Sequence, residues 1–206
     1  MSRSEIYRTV KTNTEGTYKE KGSRFLAFVF PCDNSVDAKT HINFLWKKNP
    51  NAVHVCFAWR FGKINFEDRF SDDGEPSNSA GKPIFGQIIS YEITNVLIAV
   101  VRYYGGTNLG VGGLMHAYKT ASKDALDKAV IEENYISDYF EIDYAYEQTG
   151  DVMNLLQKNG VEIIAQNFDE NGPTTKFKIR QSKTEKLKLE LAQNKNYKLT
   201  LIDSDK

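Results

Sequence analysis

Apolar positions along this chain fall into three kinds of pattern, and each predicts a different element. Val96, Leu97, Ile98, Ala99, Val100 and Val101 form an unbroken apolar run bounded by turn residues. Such a run reads as a strand covered on both faces. Residues 25–30, FLAFVF, read as another strand, ended by Pro31. Over 53–61 the pattern alternates. Val53, Val55, Phe57 and Trp59 stand against His54, Cys56, Ala58 and Arg60, which predicts a strand. Gly62-Lys63 then turns the chain into a partner strand over about 64–70. Helical spacing appears at Ala38, Ile42, Leu45 and Trp46, a helix over 36–48 capped by Asp33-Asn34-Ser35 and stopped by Asn49-Pro50-Asn51. Ile84, Ile88 and Ile89 predict a helix over 84–91, and a longer one covers about 114–133. Ala117, Ala121, Ala125 and Ala129 form a small-residue stripe on the long helix, suited to close docking on a sheet. Lys119 and Lys123 lie off that stripe, toward water.

Beyond about residue 135 the order of elements changes. A strand over 139–146 precedes a helix over 149–159, with Val152, Leu155 and Leu156 inward and Gly160 closing it. Strands over 161–168 and 174–180 flank a turn at 169–173. A helix over 183–193 and a strand over 197–202 follow. The order βαββαβ is the ferredoxin-like pattern. The expectation is an α+β chain of two domains, 1–134 and 138–206.

Composition narrows the function classes. With 206 residues and 40% hydrophobic content, the chain can bury one large core or two small ones. Basic and acidic residues both number 27, so no bulk charge draws it to nucleic acid and any basic surface is local. Residues 1–134 hold 17 basic and 15 acidic side chains, so charge does not single out either half. Cys32 and Cys56, the only cysteines, sit in apolar stretches and read as free buried thiols rather than a disulfide or zinc pair. MSRSEIYRTVK lacks an apolar signal segment and no stretch is long enough to cross a bilayer, so a soluble, cytoplasmic protein without membrane contact is expected.

The strongest chemical signal follows the apolar run. Arg102, Tyr103, Tyr104, Gly105 and Gly106 end the strand, and Asn108, Gly110, Gly112 and Gly113 lead into the long helix. Strand, glycine loop and helix start bring free N–H groups and the positive end of a helix dipole to one place, a setting for a phosphate. The spacing fits neither a dinucleotide fingerprint nor a Walker A loop. A tight strand-to-helix connection needing positive φ also accounts for the glycines and is the favoured reading of the loop, a preference that Arg102, Tyr103 and Tyr104 narrow without reversing. His116 stands in the first turn, as a phosphate donor or as a plain polar face residue. Asp72, Asp73 and Glu75 share one loop with Ser77 and Ser79. They read either as oxygen ligands for a hard cation or as a capping turn, and no metal is expected. His54 and Cys56 share a strand face without a third, orienting group, so they read as core residues, and no catalytic residue is assigned. His41 belongs on a solvated helix face. Lys176, Lys178 and Arg180 make one strand face basic, while Glu141 and Asp143 on the first strand of that unit stand ready to neutralise it. The aromatic platform of an RNA-recognition sheet is thin there.

Three segments resemble a known family. SRFLAF at 23–28, DDGEPSNSAGKPI at 72–84 and VVRYYGGTNLGVGGL at 100–114 are similar to the signature segments of the IMPACT family, bacterial YigZ type. The resemblance implies an N-terminal domain with the ribosomal protein S5 domain 2-like fold, close also to domain IV of elongation factor G. It implies a C-terminal domain like domain V of that factor. The eukaryotic member regulates translation under stress by competing for an activator of an eIF2α kinase. The family-motif loop (Asp72, Asp73, Gly74, Glu75, Pro76, Ser79, Gly81) is then expected to pack beside the glycine loop, with Lys82 and Arg102 flanking one surface. The functional expectation is a non-enzymatic, translation-associated regulatory or accessory factor that binds RNA or a ribosomal surface and needs no cofactor. Its phosphate contacts would come from Lys21, Arg24, Lys82, Arg102, Asn108, His116 and the glycines Gly105, Gly106, Gly110, Gly112 and Gly113. Tyr103 and Tyr104 would stack on bases or ribose. A protein-interaction module for a regulatory partner is the second reading, and a metal-dependent hydrolase using the 72–75 acids the third. Arg102 either faces solvent or locks against those carboxylates.

Overall fold

The computed structural model describes residues 5–193 and 197–204. The expected domains also take in residues 1–4, 194–196 and 205–206, which lie outside the described residues. The chain separates into two units, Tyr7–Asn134 and a second made of residues 5–6 with those from Tyr135 onward. The class is α+β.

Apart from the end residues Ile6 and Tyr135, the larger unit holds β1 (Ile6–Val10), β2 (Thr14–Glu20), β3 (Ser23–Pro31), α1 (Ser35–Lys48), β4 (His54–Phe61), β5 (Glu67–Ser71), α2 (Gly81–Ser90), β6 (Val96–Tyr103), α3 (Gly110–Asp127) and β7 (Ile131–Tyr135). Five strands form one antiparallel sheet in the order β2-β3-β6-β4-β5. The unbroken apolar run therefore occupies the centre, and it is buried because both sheet faces are covered. On one face Phe25, Ala27, Ile98 and Val100 pack with Ile84 and Ile88 of α2 and with Ala117, Ala121 and Ala125 of α3. On the other, Phe28, Trp59, Leu97 and Val101 pack with Ala38 and Leu45 of α1. Asn34 caps α1 as its sequence predicts, its Oδ1 accepting from the backbone of Val36 and Asp37 at 3.0 and 2.9 Å.

Several boundaries differ from the sequence reading. Helix α3 starts at Gly110 rather than 114 and ends at Asp127 rather than 133. Gly110, Gly112 and Gly113 are thus its first turn, not loop. Residues 131–135 leave as β7 and pair with β1, so Ala129 falls outside the helix. The polar strand β2, TEGTYKE, was not foreseen. It is an edge strand, of which only Gly16 is fully buried. Gly16 explains the alanine stripe, because a Cβ there would lie 2.3 Å from Ala125 N. Thr17 N also donates to Asp124 Oδ2 at 2.8 Å, tying the strand to α3. Helix α2 begins at Gly81, three residues before its first isoleucine, for a reason found in the loop before it.

The smaller unit runs β8 (Ser137–Asp143), α4 (Thr149–Asn159), β9 (Glu162–Asp169), β10 (Gly172–Arg180), α5 (Gln181–Leu191) and β11 (Lys198–Ser204). Its sheet is antiparallel in the order β11-β8-β10-β9, the arrangement a ferredoxin-like βαββαβ unit adopts. Phe140, Ile142, Phe177 and Ile179 of the sheet bury against Val152, Leu156, Leu187 and Leu191 of the helices. Strand β8 stops at Asp143, short of the expected 146, because residues 146–148 form a single 3-10 turn leading into α4. The basic face of β10 is neutralised. Lys176 lies opposite Glu141 and pairs with it at 3.3 Å, and Lys178 pairs with Glu162 at 3.0 Å. Arg180 stacks on the Tyr135 ring at 3.3 Å.

Candidate functional site

The acid-rich loop between β5 and α2 turns its carboxylates inward. Asp72 Oδ1 accepts from the backbone of Ala80 and Gly81 at 2.9 and 2.8 Å, and its Oδ2 accepts from Asn78 N at 2.8 Å. An anion on those N–H groups caps α2 from nine residues upstream and starts the helix early. Asp73 Oδ2 accepts from Val55 N at 2.7 Å, and the Asp73 carbonyl accepts from His54 Nδ1 at 2.6 Å. Glu75 is buried, and its Oε1 accepts from Arg102 at 2.5 Å and from the Tyr118 hydroxyl at 2.7 Å. Every acid in the loop is thus bound to a donor of the same unit. Among the described residues no group of three or more His, Cys, Asp or Glu side chains is placed to hold a metal ion.

Cys56 completes this buried cluster. Its thiol donates to the Asp72 carbonyl at 3.0 Å and lies 3.3 Å from the Tyr118 hydroxyl. Burial pushes the Cys56 thiol far above the ordinary thiol range, so no thiolate forms near neutral pH. Burial also raises the Tyr118 phenol strongly, with Cys56 and Glu75 adding to the shift. His54 and Cys56 are therefore a satisfied histidine beside a buried thiol, as the strand pattern suggests.

Arg102 requires a correction. Expected as a phosphate contact, it is 6% exposed and its charge is met by Glu75. Its guanidinium also lies over the rings of Phe25 and Tyr104, at 5.5 and 5.6 Å. Of the two alternatives the locked one holds. Arg102 is removed from the phosphate set, and it does not flank an exposed surface with Lys82. Tyr103 is half-buried, its hydroxyl donating to Asn49 Oδ1 at 2.7 Å.

The glycine loop and the β2–β3 turn meet closely. A Cβ on Gly105 would lie 2.0 Å from the Gly22 carbonyl carbon, so both positions must be glycine for the two segments to touch. Gly105 N donates to Ser23 Oγ at 3.1 Å. The contact gathers Lys21, Arg24, Tyr104, Gly105, Gly106 and Asn108, all exposed. Arg24 stacks on the Tyr103 ring at 4.7 Å, and the Tyr104 hydroxyl donates to Asn108 Oδ1 at 3.1 Å. Gly106, Gly110 and Gly112 have open space where a side chain would sit, and no side chain caps the start of α3. The turn carrying Lys21 and Arg24 thus meets the open backbone that leads from Tyr104 into α3.

Lys82 and His116 belong to a different feature. They line a groove of about 810 Å³ between α2 and α3, together with Lys119 and Lys123. His116 also packs its ring edge-on against Tyr18 at 5.6 Å. The sequence reading missed Tyr118, Gln87, Val111 and Met115. For the last two the signal was present, since 111, 115, 119 and 123 recur every fourth residue along one stripe of α3.

Fold and site together define a two-unit α+β protein with an exposed glycine-loop face set beside a neutralised acid loop. Residues 21–126 match the Impact N-terminal domain. An IMPACT family member of Haemophilus influenzae is 36% identical over 153 residues, 73% of this chain and 74% of its own length. The Escherichia coli IMPACT family member YigZ is 32% identical over 150 residues, 72% of this chain and 74% of its own. A crystal structure of a hypothetical protein superposes with a TM-score of 0.69 at 26% identity, covering 97% of this chain and 98% of that one. The chain belongs to the IMPACT family. No helix among the described residues is long and apolar enough to cross a membrane.

Proposed function

We propose that this protein is a non-enzymatic, translation-associated regulatory factor of the cytoplasm that binds RNA phosphates, free or on a ribosomal surface. Membership of the IMPACT family supports the translation-related role. The observation that carries the phosphate reading is the Gly22–Gly105 contact, which brings the turn carrying Lys21 and Arg24 against the open glycine backbone that leads into an uncapped helix. Tyr104, 47% exposed, supplies a stacking face. Backbone recognition of this kind gives affinity with little sequence preference and falls steeply with salt.

The test is fluorescence anisotropy with a labelled single-stranded RNA and a hairpin at low and moderate salt. Lys21→Ala and Arg24→Ala should each weaken binding and each reduce the salt slope by about 1. Tyr104→Ala should weaken it without changing the slope. Salt-independent binding, or none by the folded protein, would refute the reading.

A further inference from the structure

The groove between α2 and α3 has no part in the phosphate reading, and its chemistry is different. Tyr91, at the C-terminal end of α2, donates its hydroxyl to Asp127 at the C-terminal end of α3, so the helices run side by side in the same direction. The α3 wall presents Val111, Met115, Lys119 and Lys123 in sequence, a stripe about 18 Å long at 1.5 Å per residue. Val111 and Met115 are 52% and 44% exposed, unusually open for apolar side chains next to each other on a helix. The α2 wall contributes Lys82, and Gly86 lowers it, with nothing within 4 Å of where its side chain would be.

Charge and polarity across this groove are unbalanced. Lys123 is neutralised by Asp127 at 2.6 Å. Lys82 and Lys119 have no ion pair among the described residues, and no carboxylate lines the groove. Gln87, only 5% exposed, is a polar residue on the groove wall. A polar side chain on the wall of a groove is suited to meet a partner's polar group.

We propose that the α2–α3 groove is the docking site for an acidic amphipathic segment of a protein partner. Apolar side chains of the segment cover Val111 and Met115, its carboxylates meet Lys82 and Lys119, and a backbone or side-chain polar group pairs with Gln87. A helix laid into a groove presents apolar and acidic residues with the spacing this stripe has. Nucleic acid fits less well. The apolar side chains of the α3 wall, Val111 and Met115, are aliphatic and give bases nothing to stack on, and both rings on the wall are engaged: the Tyr91 hydroxyl is tied to Asp127, and His116 packs edge-on against Tyr18.

The probe is a synthetic Glu/Leu amphipathic peptide about four turns long, labelled for anisotropy, with a Lys/Leu peptide of the same pattern as control. Saturable binding of the acidic peptide only, with amide shifts on both helices in ¹⁵N NMR spectra, is the expected result. Lys119→Glu should weaken it about tenfold or more. Gly86→Leu fills the floor from an exposed helical position and should abolish it. Circular dichroism checks that both variants fold, and Lys119→Glu, at an exposed position, decides alone if Gly86→Leu does not. Equal binding of both peptides, no saturation, unchanged affinity in Lys119→Glu, or displacement of the peptide by single-stranded RNA would each overturn the proposal. Arg24→Ala should leave peptide binding unchanged, which separates this site from the RNA-binding face.

Discussion

Removing the carboxylate of Glu75 should unfold the larger unit at much lower denaturant than wild type. The Arg102 and Glu75 side chains are 7% and 3% exposed, with the guanidinium 2.5 Å from Oε1. A pair of charges this close interacts by several kcal/mol at an effective dielectric near 20. Most of that gain is offset by the desolvation of both ions, so the intact pair adds little net stability. Breaking it is another matter. In Glu75→Ala the guanidinium stays buried without its partner and the Tyr118 hydroxyl loses its acceptor, an expected loss of about 3–5 kcal/mol. Against a total of about 5–15 kcal/mol this is a large fraction. At a urea slope of about 2 kcal/mol/M the midpoint should fall by about 2 M. Tryptophan fluorescence isolates the effect, because both tryptophans, Trp46 and Trp59, lie in this unit, and Trp59 is buried in its core. The Glu75→Gln/Arg102→Met double variant should be more stable than Glu75→Ala, since no charge is left stranded. A loss below about 1 kcal/mol in Glu75→Ala, or a double variant as unstable as the sum of its singles, would refute the account of Arg102 as a buried structural cation.

The remaining predictions concern glycine, alanine and pH. Gly105→Ala should cost at least about 1–3 kcal/mol in urea melts, because the new methyl meets Gly22 backbone that cannot move aside cheaply. Gly112→Ala, in the open first turn of α3, should leave stability unchanged or raise it by up to about 1 kcal/mol, yet weaken RNA binding by crowding the exposed backbone. Gly16→Ala should destabilise by a similar 1–3 kcal/mol or so, measured by thermal unfolding, because it forces β2 away from α3. Cys56 and Tyr118 both hold their protons more tightly folded than unfolded. Their contribution is complete below the unfolded-state values and is lost as pH climbs past them. The midpoint should therefore fall above about pH 9, and Cys56 should resist alkylation at pH 8 in the folded protein.

Much of the scaffold can be read from the sequence, and the unread parts share a cause. The run from Val96 to Val101, the Asn34 cap and the α4 helix ending at Gly160 carry local signals strong enough to stand alone. Strands β1, β2 and β7 do not, because their hydrogen bonds run to distant segments and their side chains stay largely in water. At the site, the glycine loop was legible because strand, glycines and helix are contiguous. The state of Arg102 was not, because Glu75 lies 27 residues away and only the tertiary fold brings them together. The α2–α3 groove was missed for the same reason, since each helix supplies only one wall.

The acid loop has a consequence for how sequences of this kind are to be read. DDGEPSNSAG looks like exposed chemistry, yet Asp72 starts a helix, Asp73 holds a strand, and Glu75 neutralises an arginine inside the core. Each of the three carboxylates is held by a donor of the same unit. A chain carrying the motif thereby announces which scaffold it folds into and leaves its ligand unstated. Two such chains can share every one of these acids and still bind different molecules, because all three carboxylates are already engaged within the fold.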